Sequence, residues 1–332
     1  MQNNYNFNCT KLGNIKNLEI KKIKRERIKQ NSVRIQIHAI GLNYVDILMI
    51  KGKYQHHKSA PFIPGIEACG IIIDENCNNK KLINKKVIIN KKGGCFSEEI
   101  VASLNEIIII PSKIDCALAA GSFTSTLTSY ITLQEIAKLK KNDNILITGA
   151  SGGVGVASIK LAKKIGANVT SIVSTREKSS FVKSLGSNKT ILLDSKKLEN
   201  ISNLKKKYNI NVVLDINGLI KSKKLLSFLG WQGKYIIIGF MNNNIYSIPS
   251  NHILIKGLTV QGVRAGKYLE NSNKKNLIIK NVINIIKKEN INSIEYKIVE
   301  FKKLINYLLK LENRSSKGKN IVVTKYYKKR SL

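Results

Sequence analysis

Glycines with a fixed spacing follow a short apolar segment near the middle of the 332-residue chain. Residues 144–148 (NILIT) have the apolar character of a buried parallel strand, and Gly149, Gly152 and Gly155 come directly after them. Residues 157–165 (ASIKLAKKI) then show the spacing of a helix packed on a sheet. Strand, glycine turn and helix in this order are typical of a site for the pyrophosphate of a dinucleotide, which binds at the helix start.

Each glycine of this turn has a separate physical role in such a site. The first permits the tight turn, the second lets the backbone approach the phosphates, and the third lets helix and strand pack closely. Ser151, Gly153 and Val154 lie between these glycines, and we expect them to line the same site. A glycine turn that only caps a helix is the alternative interpretation.

The residues after the second strand of such a fold distinguish NAD from NADP. Strand 168–173 is followed by Ser174, Arg176 and Lys178, and the one acid in this segment, Glu177, lies within the next helix. Hydroxyl and cationic side chains suit a 2′-phosphate, because cations form charge-assisted hydrogen bonds to it. The pattern favours NADPH over NADH, and an ordinary solvated helix start in a basic chain is the alternative.

The elements around this motif predict an α/β protein with two domains. Residues 1–120 carry short alternating strands, typical of a small barrel or sandwich, and residues 121–264 alternate between strand and helix, which predicts a doubly wound parallel sheet. We expect residues 265–332 to complete the first domain. The finer predictions include two helical segments within 115–139 separated by 121–126, a helix near 198–207 and an edge strand at 258–263.

The composition limits the classes of function. The net charge is +36, spread along the whole chain, which predicts a solvated basic surface and leaves open salt-dependent, nonspecific nucleic-acid binding. No nucleic-acid recognition motif accompanies the charge. Five scattered cysteines indicate free thiols, and with neither a signal-peptide pattern nor a membrane-length apolar run, we expect a cytoplasmic protein without membrane contact.

Several further segments form a recognisable pattern with the glycine turn. They are 41–46 (GLNYVD), 51–54 (KGKY), 64–70 (PGIEACG), 94–98 (GCFSE), 212–218 (VVLDING), 230–239 (GWQGKYIIIG) and 318–323 (GKNIVV). With them the chain resembles the zinc-independent quinone oxidoreductases, the zeta-crystallin type, of the medium-chain dehydrogenase/reductase superfamily. The resemblance implies a GroES-like catalytic domain, a Rossmann NADPH-binding domain and an active site in the cleft between them.

The resemblance also implies roles for particular residues. On the substrate side it indicates Asn43, through its amide N–H, together with Asp46 as a brace for the loop and Tyr54 beside the acceptor. On the cofactor side it indicates Thr128 and Arg314, and open-sheet geometry takes Gly239 and Phe240 past the nicotinamide. The alternative interpretations are purely structural: Asn43 as an ordinary loop asparagine, Tyr54 as a core tyrosine and Thr128 as a threonine that faces the core.

A metal ion is not expected. Zinc-dependent relatives use an early cysteine, a His-Glu pair and a later cysteine as ligands, whereas this chain has Asn43-Tyr44 and Ile66-Glu67 in the corresponding segments. The cluster of four cysteines that holds a structural zinc is also missing from the sequence.

The resemblance predicts an NADPH-dependent reductase of quinones or α,β-unsaturated carbonyls. The alternatives are an enoyl- or acryloyl-thioester reductase, because a fold does not fix its substrate, and a non-catalytic protein that binds NADPH and RNA. A homodimer through the edge strand 258–263 is also implied.

Overall fold

The computed structural model describes residues 4–25, 27–55, 59–76, 79–193, 209–241 and 245–328. The chain folds into two compact units. The first unit contains residues 1–124 and 283–332, and the second contains residues 125–282.

The helices and strands are numbered in chain order. The strands are β1 Tyr5–Cys9, β2 Leu18–Lys22, β3 Ser32–Gly41, β4 Glu67–Asn76, β5 Lys86–Asn90, β6 Glu99–Ser103, β7 Ile107–Ile109, β8 Asn144–Ile147, β9 Asn168–Val173, β10 Lys189–Leu192, β11 Ile210–Asp215, β12 Leu229–Ile237, β13 Thr259–Gly262, β14 Tyr296–Glu300 and β15 Lys319–Val323. The helices are α1 Tyr44–Ile50, α2 Cys116–Tyr130, α3 Gly153–Ile165, α4 Arg176–Ser184, α5 Ser222–Phe228, α6 Ser250–Lys256, α7 Ala265–Glu270, α8 Lys275–Ile286 and α9 Leu304–Glu312.

The sheet of the first unit joins strands from both ends of the chain. Its order is β14-β15-β3-β4-β5-β7, with β6 paired to β3, while β1 and β2 form a separate antiparallel pair. The C-terminal strand β15 lies antiparallel to β3, with Ile321 opposite Gly41, and β4 lies on the other side of β3. The core under this sheet contains Phe7, Phe96 and Phe301, together with the aliphatic side chains of β3, β4 and α9.

The sheet of the second unit is parallel throughout its six strands, in the order β10-β9-β8-β11-β12-β13. Counted from β8, this is the order 3-2-1-4-5-6, and the chain reverses direction across the sheet between β8 and β11. The expected doubly wound sheet is therefore confirmed, and β13 forms its edge as predicted. Its strands read as continuous apolar runs because parallel strands are covered on both faces.

One prediction about the helices was wrong. Residues 121–126 do not separate two helices, because α2 runs unbroken from Cys116 to Tyr130. A Cβ atom on Gly121 would lie 2.4 Å from Cδ1 of Ile321, so this glycine permits the close approach of α2 to β15. The sequence predicts Gly121 as a residue that interrupts a helix, whereas in the structure it allows two elements to pack closely.

Other differences concern segments with weak local signals. Strands β1, β2 and β14 and helices α6 and α7 were not predicted, and the predicted helix near 198–207 lies outside the described residues. Residues 265–282 belong to the second unit, whereas the sequence grouped them with the first domain. The Tyr268 hydroxyl donates to Glu135, and the Asn281 amide donates to the Tyr130 hydroxyl, which ties these residues to the second unit.

The longest helix in the described part of the chain, α2, has 15 residues. None of the helices described there is both long and apolar enough to cross a membrane.

Candidate functional site

The glycine turn lies at the carboxyl end of β8, where the strand order of the parallel sheet reverses. Gly149 has a φ of +59°, in the left-handed region that favours glycine, and its Cβ position is 3.1 Å from the Asn217 amide nitrogen. At Gly155 an added Cβ would lie 2.6 Å from the Ala150 backbone, so α3 can approach the turn only with glycine here. Glycine is thus required by the backbone conformation at position 149 and by packing at position 155.

Gly152 is different, because no close contact within the described chain requires glycine there. An added Cβ at Gly152 would meet only the Gly149 carbonyl oxygen, at an ordinary 3.5 Å. This residue is the N-cap of α3, whose first turn carries no acidic residue, so its N–H groups and positive dipole end suit an anion. Ser151 lies directly before Gly152, and Gly153 and Val154 are the first two residues of α3. That these residues bind the pyrophosphate of a dinucleotide stays a prediction.

The predicted 2′-phosphate residues surround the start of α4, directly after β9. Thr175 caps this helix by accepting a hydrogen bond from the Lys178 backbone N–H at 3.1 Å. The Lys178 ammonium reaches back to the Ser174 hydroxyl at 3.4 Å, and Ser174 and Arg176 are exposed to solvent. The cap therefore brings a hydroxyl and two cations to the end of the second strand, and their binding of a phosphate stays a prediction.

A buried carboxylate ties together the ends of three neighbouring strands. Asp215, at the end of β11, accepts hydrogen bonds from the Thr148 hydroxyl at 2.7 Å, from the Tyr235 hydroxyl at 2.8 Å and from the Gly218 N–H at 3.1 Å. The Tyr246 hydroxyl also donates to it, at 2.5 Å. Burial, together with the negative charge of Asp215, raises the pKa of both tyrosines well above its usual range, so they stay protonated donors.

This network also fixes the segment after β12, where Gly239 and Phe240 were predicted to pass the nicotinamide. The Phe240 ring packs edge-on against Tyr246, with 5.3 Å between ring centroids. The Phe240 ring also covers Gly218, at which a Cβ would lie 2.6 Å from Cδ1 of Phe240. Because β8, β9, β11 and β12 are parallel, their carboxyl ends lie on the same side of the sheet. The glycine turn, the start of α4 and this segment are therefore all at that carboxyl end. Thr128 lies buried on α2 in the same unit.

In the first unit, the adjacent strands β15, β3 and β4 bring a lysine, an asparagine and a glutamate together. Glu67, the first residue of β4, is fully buried, and its Oε1 accepts from the Thr124 N–H at 2.6 Å. Its Oε2 accepts from the Lys319 ammonium at 2.9 Å and from the Asn43 amide at 2.9 Å. Gly41 leaves room for this carboxylate, since a Cβ there would lie 2.7 Å from Oε2.

Lys319, the first residue of β15, forms a buried ion pair with Glu67. The Lys319 side chain is 6% exposed, and the Glu67 side chain is 0% exposed. The ammonium also donates to Oδ1 of Asn43 at 2.6 Å. Gly318 makes this placement possible, because its φ is +63° and a Cβ there would lie 2.0 Å from the Glu295 carbonyl oxygen. Loss of one member of such a buried pair costs about 3–5 kcal/mol, because the other charge stays buried and uncompensated.

Asp46 holds the loop between β3 and α1 through two backbone hydrogen bonds. Its carboxylate accepts from the Asn43 N–H at 2.8 Å and from the Ile66 N–H at 3.1 Å, and the side chain is fully buried. Burial raises the pKa of Asp46 to about 7, although the two N–H donors and the Lys319 charge act in the opposite direction. The brace is therefore a carboxyl group that takes up a proton near neutral pH.

The remaining predicted residues are placed as follows. Tyr54 is half-buried in the first unit, and Arg314 follows α9 in the same unit with a φ of +56°. The roles predicted for both residues stay predictions.

Glu67, Lys319 and Asp215 lie within the sequence motifs, but none of the three was predicted as a site residue. The one sequence signal for Lys319 is its position after a glycine, at the start of an apolar strand near the C-terminus. That signal indicates a site only once β15 is known to pair with β3. In the described part of the chain, no three His, Cys, Asp or Glu side chains are close enough together to hold a metal ion.

Comparison with known proteins identifies the architecture. Residues 29–112 match the model of the alcohol dehydrogenase GroES-like domain, and residues 153–281 match that of the zinc-binding dehydrogenase. Among solved structures, mycobacterial Rv1454c complexed with NADPH superposes with a TM-score of 0.85 at 18% identity, covering 96% of this chain and 99% of that one. The apo form of JamJ enoyl reductase gives 0.82 at 21% identity, over 97% and 100%. These likenesses establish the fold.

The sequence relatives establish the family. The quinone oxidoreductase-like protein 2 homolog of Nematostella vectensis is 31% identical over 265 residues, which are 78% of this chain and 72% of that protein. The resemblance inferred from the sequence motifs is thereby confirmed. The chain belongs to the quinone oxidoreductase-like family of the medium-chain dehydrogenase/reductase superfamily, a superfamily of oxidoreductases.

Proposed function

We propose that the chain is an NADPH-dependent reductase that transfers hydride to quinones or α,β-unsaturated carbonyl compounds without a metal ion. The proposal rests on one observation. The glycine turn, the start of α3 without acidic residues, and the Ser174–Lys178 pair all lie at the carboxyl end of the parallel sheet. Membership of an oxidoreductase family supports the reaction class.

The residues of this edge fit the parts of NADPH. The first-turn N–H groups of α3, with Gly149, Ser151 and Gly152, would hold the pyrophosphate. The 2′-phosphate would meet Ser174, Arg176 and Lys178, and we propose that Arg314 adds a further cation. Thr128, Gly239 and Phe240 would contact the nicotinamide. NADPH, when bound, supplies the hydride, and these residues bind and orient it.

On the acceptor side, we propose that the loop of Asn43, Asp46 and Tyr54 forms one wall of the substrate site, with Asn43 and Asp46 fixing its shape. Asp46 holds the loop through the backbone N–H of Asn43, and Lys319 and Glu67 hold the Asn43 amide. Polar groups fixed before the substrate arrives need no reorganisation as charge develops on it, which favours the reaction. The buried ammonium of Lys319 already neutralises Glu67, which supports a metal-free reaction.

Two other functions compete with this proposal. A thioester reductase acting on enoyl or acryloyl groups is favoured by the JamJ enoyl reductase, which has the same fold. A non-catalytic protein that binds NADPH and RNA is favoured by the net charge of +36, through which nonspecific binding to nucleic acid would be salt-dependent. We further propose a cytoplasmic location.

We also propose a homodimer through the edge strand β13. Large apolar side chains are exposed beside this edge: Trp231 is 72% exposed, Leu254 82% and Ile255 71%. Trp231 lies against the end of α6, since a Cβ on Gly257 would be 3.7 Å from its ring. Exposed apolar groups next to an unpaired strand edge are typical of a pairing surface.

The test is NADPH oxidation by purified protein with a panel of acceptors, namely 9,10-phenanthrenequinone, simple enones and enoyl thioesters. Turnover with quinones or enones supports the proposal, and turnover with thioesters alone supports the second function. An inactive protein that binds RNA in a salt-sensitive manner would point to the third.

A further inference from the structure

The hydrogen-bond donors around Asn43 are nearly all in use. The backbone N–H of Asn43 donates to Asp46, and the two amide hydrogens go to the Gly41 carbonyl oxygen at 3.0 Å and to Glu67 at 2.9 Å. The Lys319 ammonium has three hydrogens, of which two go to Asn43 and Glu67. Among the described residues, none accepts the third. This ammonium hydrogen is therefore the donor with spare capacity in the group.

The charges around the Asn43 amide fix its orientation. Its oxygen faces the Lys319 ammonium, and its NH₂ group faces the Glu67 carboxylate. Turning the amide over would bring oxygen against carboxylate and NH₂ against ammonium, and both contacts would be repulsive. Asn43 is thus held as an orienting group, and its amide hydrogens are not available to a substrate in this arrangement.

The ammonium itself is well prepared to act on a substrate oxygen. Its burial and its two partners leave the Nζ atom little freedom, so the direction of the third hydrogen is set by the fold. A fixed, buried donor interacts more strongly with developing negative charge than a mobile surface lysine does. The Lys319 side chain is 6% exposed to solvent, whereas Glu67 and Asp46 are fully buried.

We propose that Lys319 is a catalytic residue that hydrogen-bonds the carbonyl oxygen of the acceptor, with Asn43 and Glu67 as its positioning residues. The inference rests on the proposed reductase function. The hydride would come from NADPH, which would be oxidised to NADP⁺ as the acceptor is reduced by two electrons. In the conjugated acceptor the hydride forms a new bond, the π electrons shift along the conjugated system, and one electron pair ends on the carbonyl oxygen. Lys319 stabilises this oxyanion and keeps its own proton, and water then supplies the proton that completes the reduced product.

Steady-state kinetics with NADPH and 9,10-phenanthrenequinone test this role in four variants, with a fifth as the control. Lys319→Met alone leaves Glu67 uncompensated, so the decisive variant is Lys319→Met combined with Glu67→Gln, which removes both charges. Glu67→Gln alone is its reference, and Lys319→Arg retains a cationic donor. Lys297→Met, the same substitution at an exposed site on the neighbouring strand β14, is the control for unchanged activity.

We expect the double variant to have a kcat about 100-fold below that of Glu67→Gln, with a nearly unchanged KM for the quinone, because the lost bond forms in the transition state. Its dissociation constant for NADPH, measured by fluorescence, should equal that of the wild type. The kcat of Lys319→Arg should lie between those of Glu67→Gln and the double variant. Lys319→Arg also provides a test if the double variant does not fold.

Equal kcat values for the double variant and Glu67→Gln would overturn the role of Lys319. Should the double variant not fold, a Lys319→Arg kcat equal to that of Lys319→Met would overturn it instead. A wild-type protein that binds NADPH but reduces none of the acceptors would refute the proposed function, and this inference with it.

Discussion

Substitution of Asp46 by asparagine tests how the loop below Asn43 is held. The Asp46 carboxyl group is fully buried, and burial raises its pKa from 3.8 to about 7. In the unfolded chain the same group has an ordinary aspartate pKa. The folded protein therefore retains a proton on Asp46 over a pH range in which the unfolded chain has released it.

The sign of the effect follows from this difference. Stability from Asp46 is fully present below about pH 4, where both states are protonated, and is lost as the pH rises towards the folded-state value. A pKa raised from 3.8 to about 7 corresponds to roughly 4 kcal/mol in the free energy of unfolding. Asparagine cannot ionise, so the Asp46→Asn variant should lack this loss, apart from a constant cost for the weaker acceptor.

The assay is urea unfolding of both proteins at several values between about pH 5 and about pH 8. We expect the free energy of unfolding of the wild type to fall relative to that of Asp46→Asn as the pH rises. The control is Asp74→Asn, because the Asp74 side chain is 59% exposed, and its curve should run parallel to that of the wild type. A wild-type curve parallel to that of Asp46→Asn would refute the reasoning.

Three further predictions concern the cofactor site and the dimer. Lys178→Ala should raise the KM for NADPH about tenfold while leaving the KM for NADH nearly unchanged, because a charge-assisted bond to the 2′-phosphate is lost; equal effects on both cofactors would contradict the assignment. Gly155→Ala should lower the melting temperature and weaken NADPH binding, since its Cβ would lie 2.6 Å from Ala150. Gly266→Ala is the control, because the space around its Cβ is open. Trp231→Glu should shift the protein from dimer to monomer in analytical ultracentrifugation, whereas Trp231→Phe should not; a wild-type monomer would refute the proposed interface.

Features determined by neighbouring residues were predictable from the sequence. The β8–turn–α3 motif depends on glycines within one turn, and the start of α4 depends on the cap at Thr175, three residues before Lys178. Local sequence carries such signals because the hydrogen bonds close within a few residues. The parallel sheet was predictable for a similar reason, since its strands alternate regularly with helices.

Features determined by distant contacts were not predictable in the same way. Lys319 and Asn43 are 276 positions apart, and they meet only because β15 pairs with β3. Gly121 was misinterpreted for the same reason, because the side chain that requires a glycine there, Ile321, is also far along the chain. Asp215 is an acid in an apolar strand, and its partners at 235 and 246 come from other elements.

The central claim is that this chain reduces an electron-poor carbonyl compound with NADPH. The most direct measurement is the rate at which purified, metal-free protein oxidises NADPH with and without 9,10-phenanthrenequinone. We predict rapid oxidation that requires the quinone and is slower with NADH. No quinone-dependent oxidation, or oxidation that appears only after zinc is added, would contradict the account.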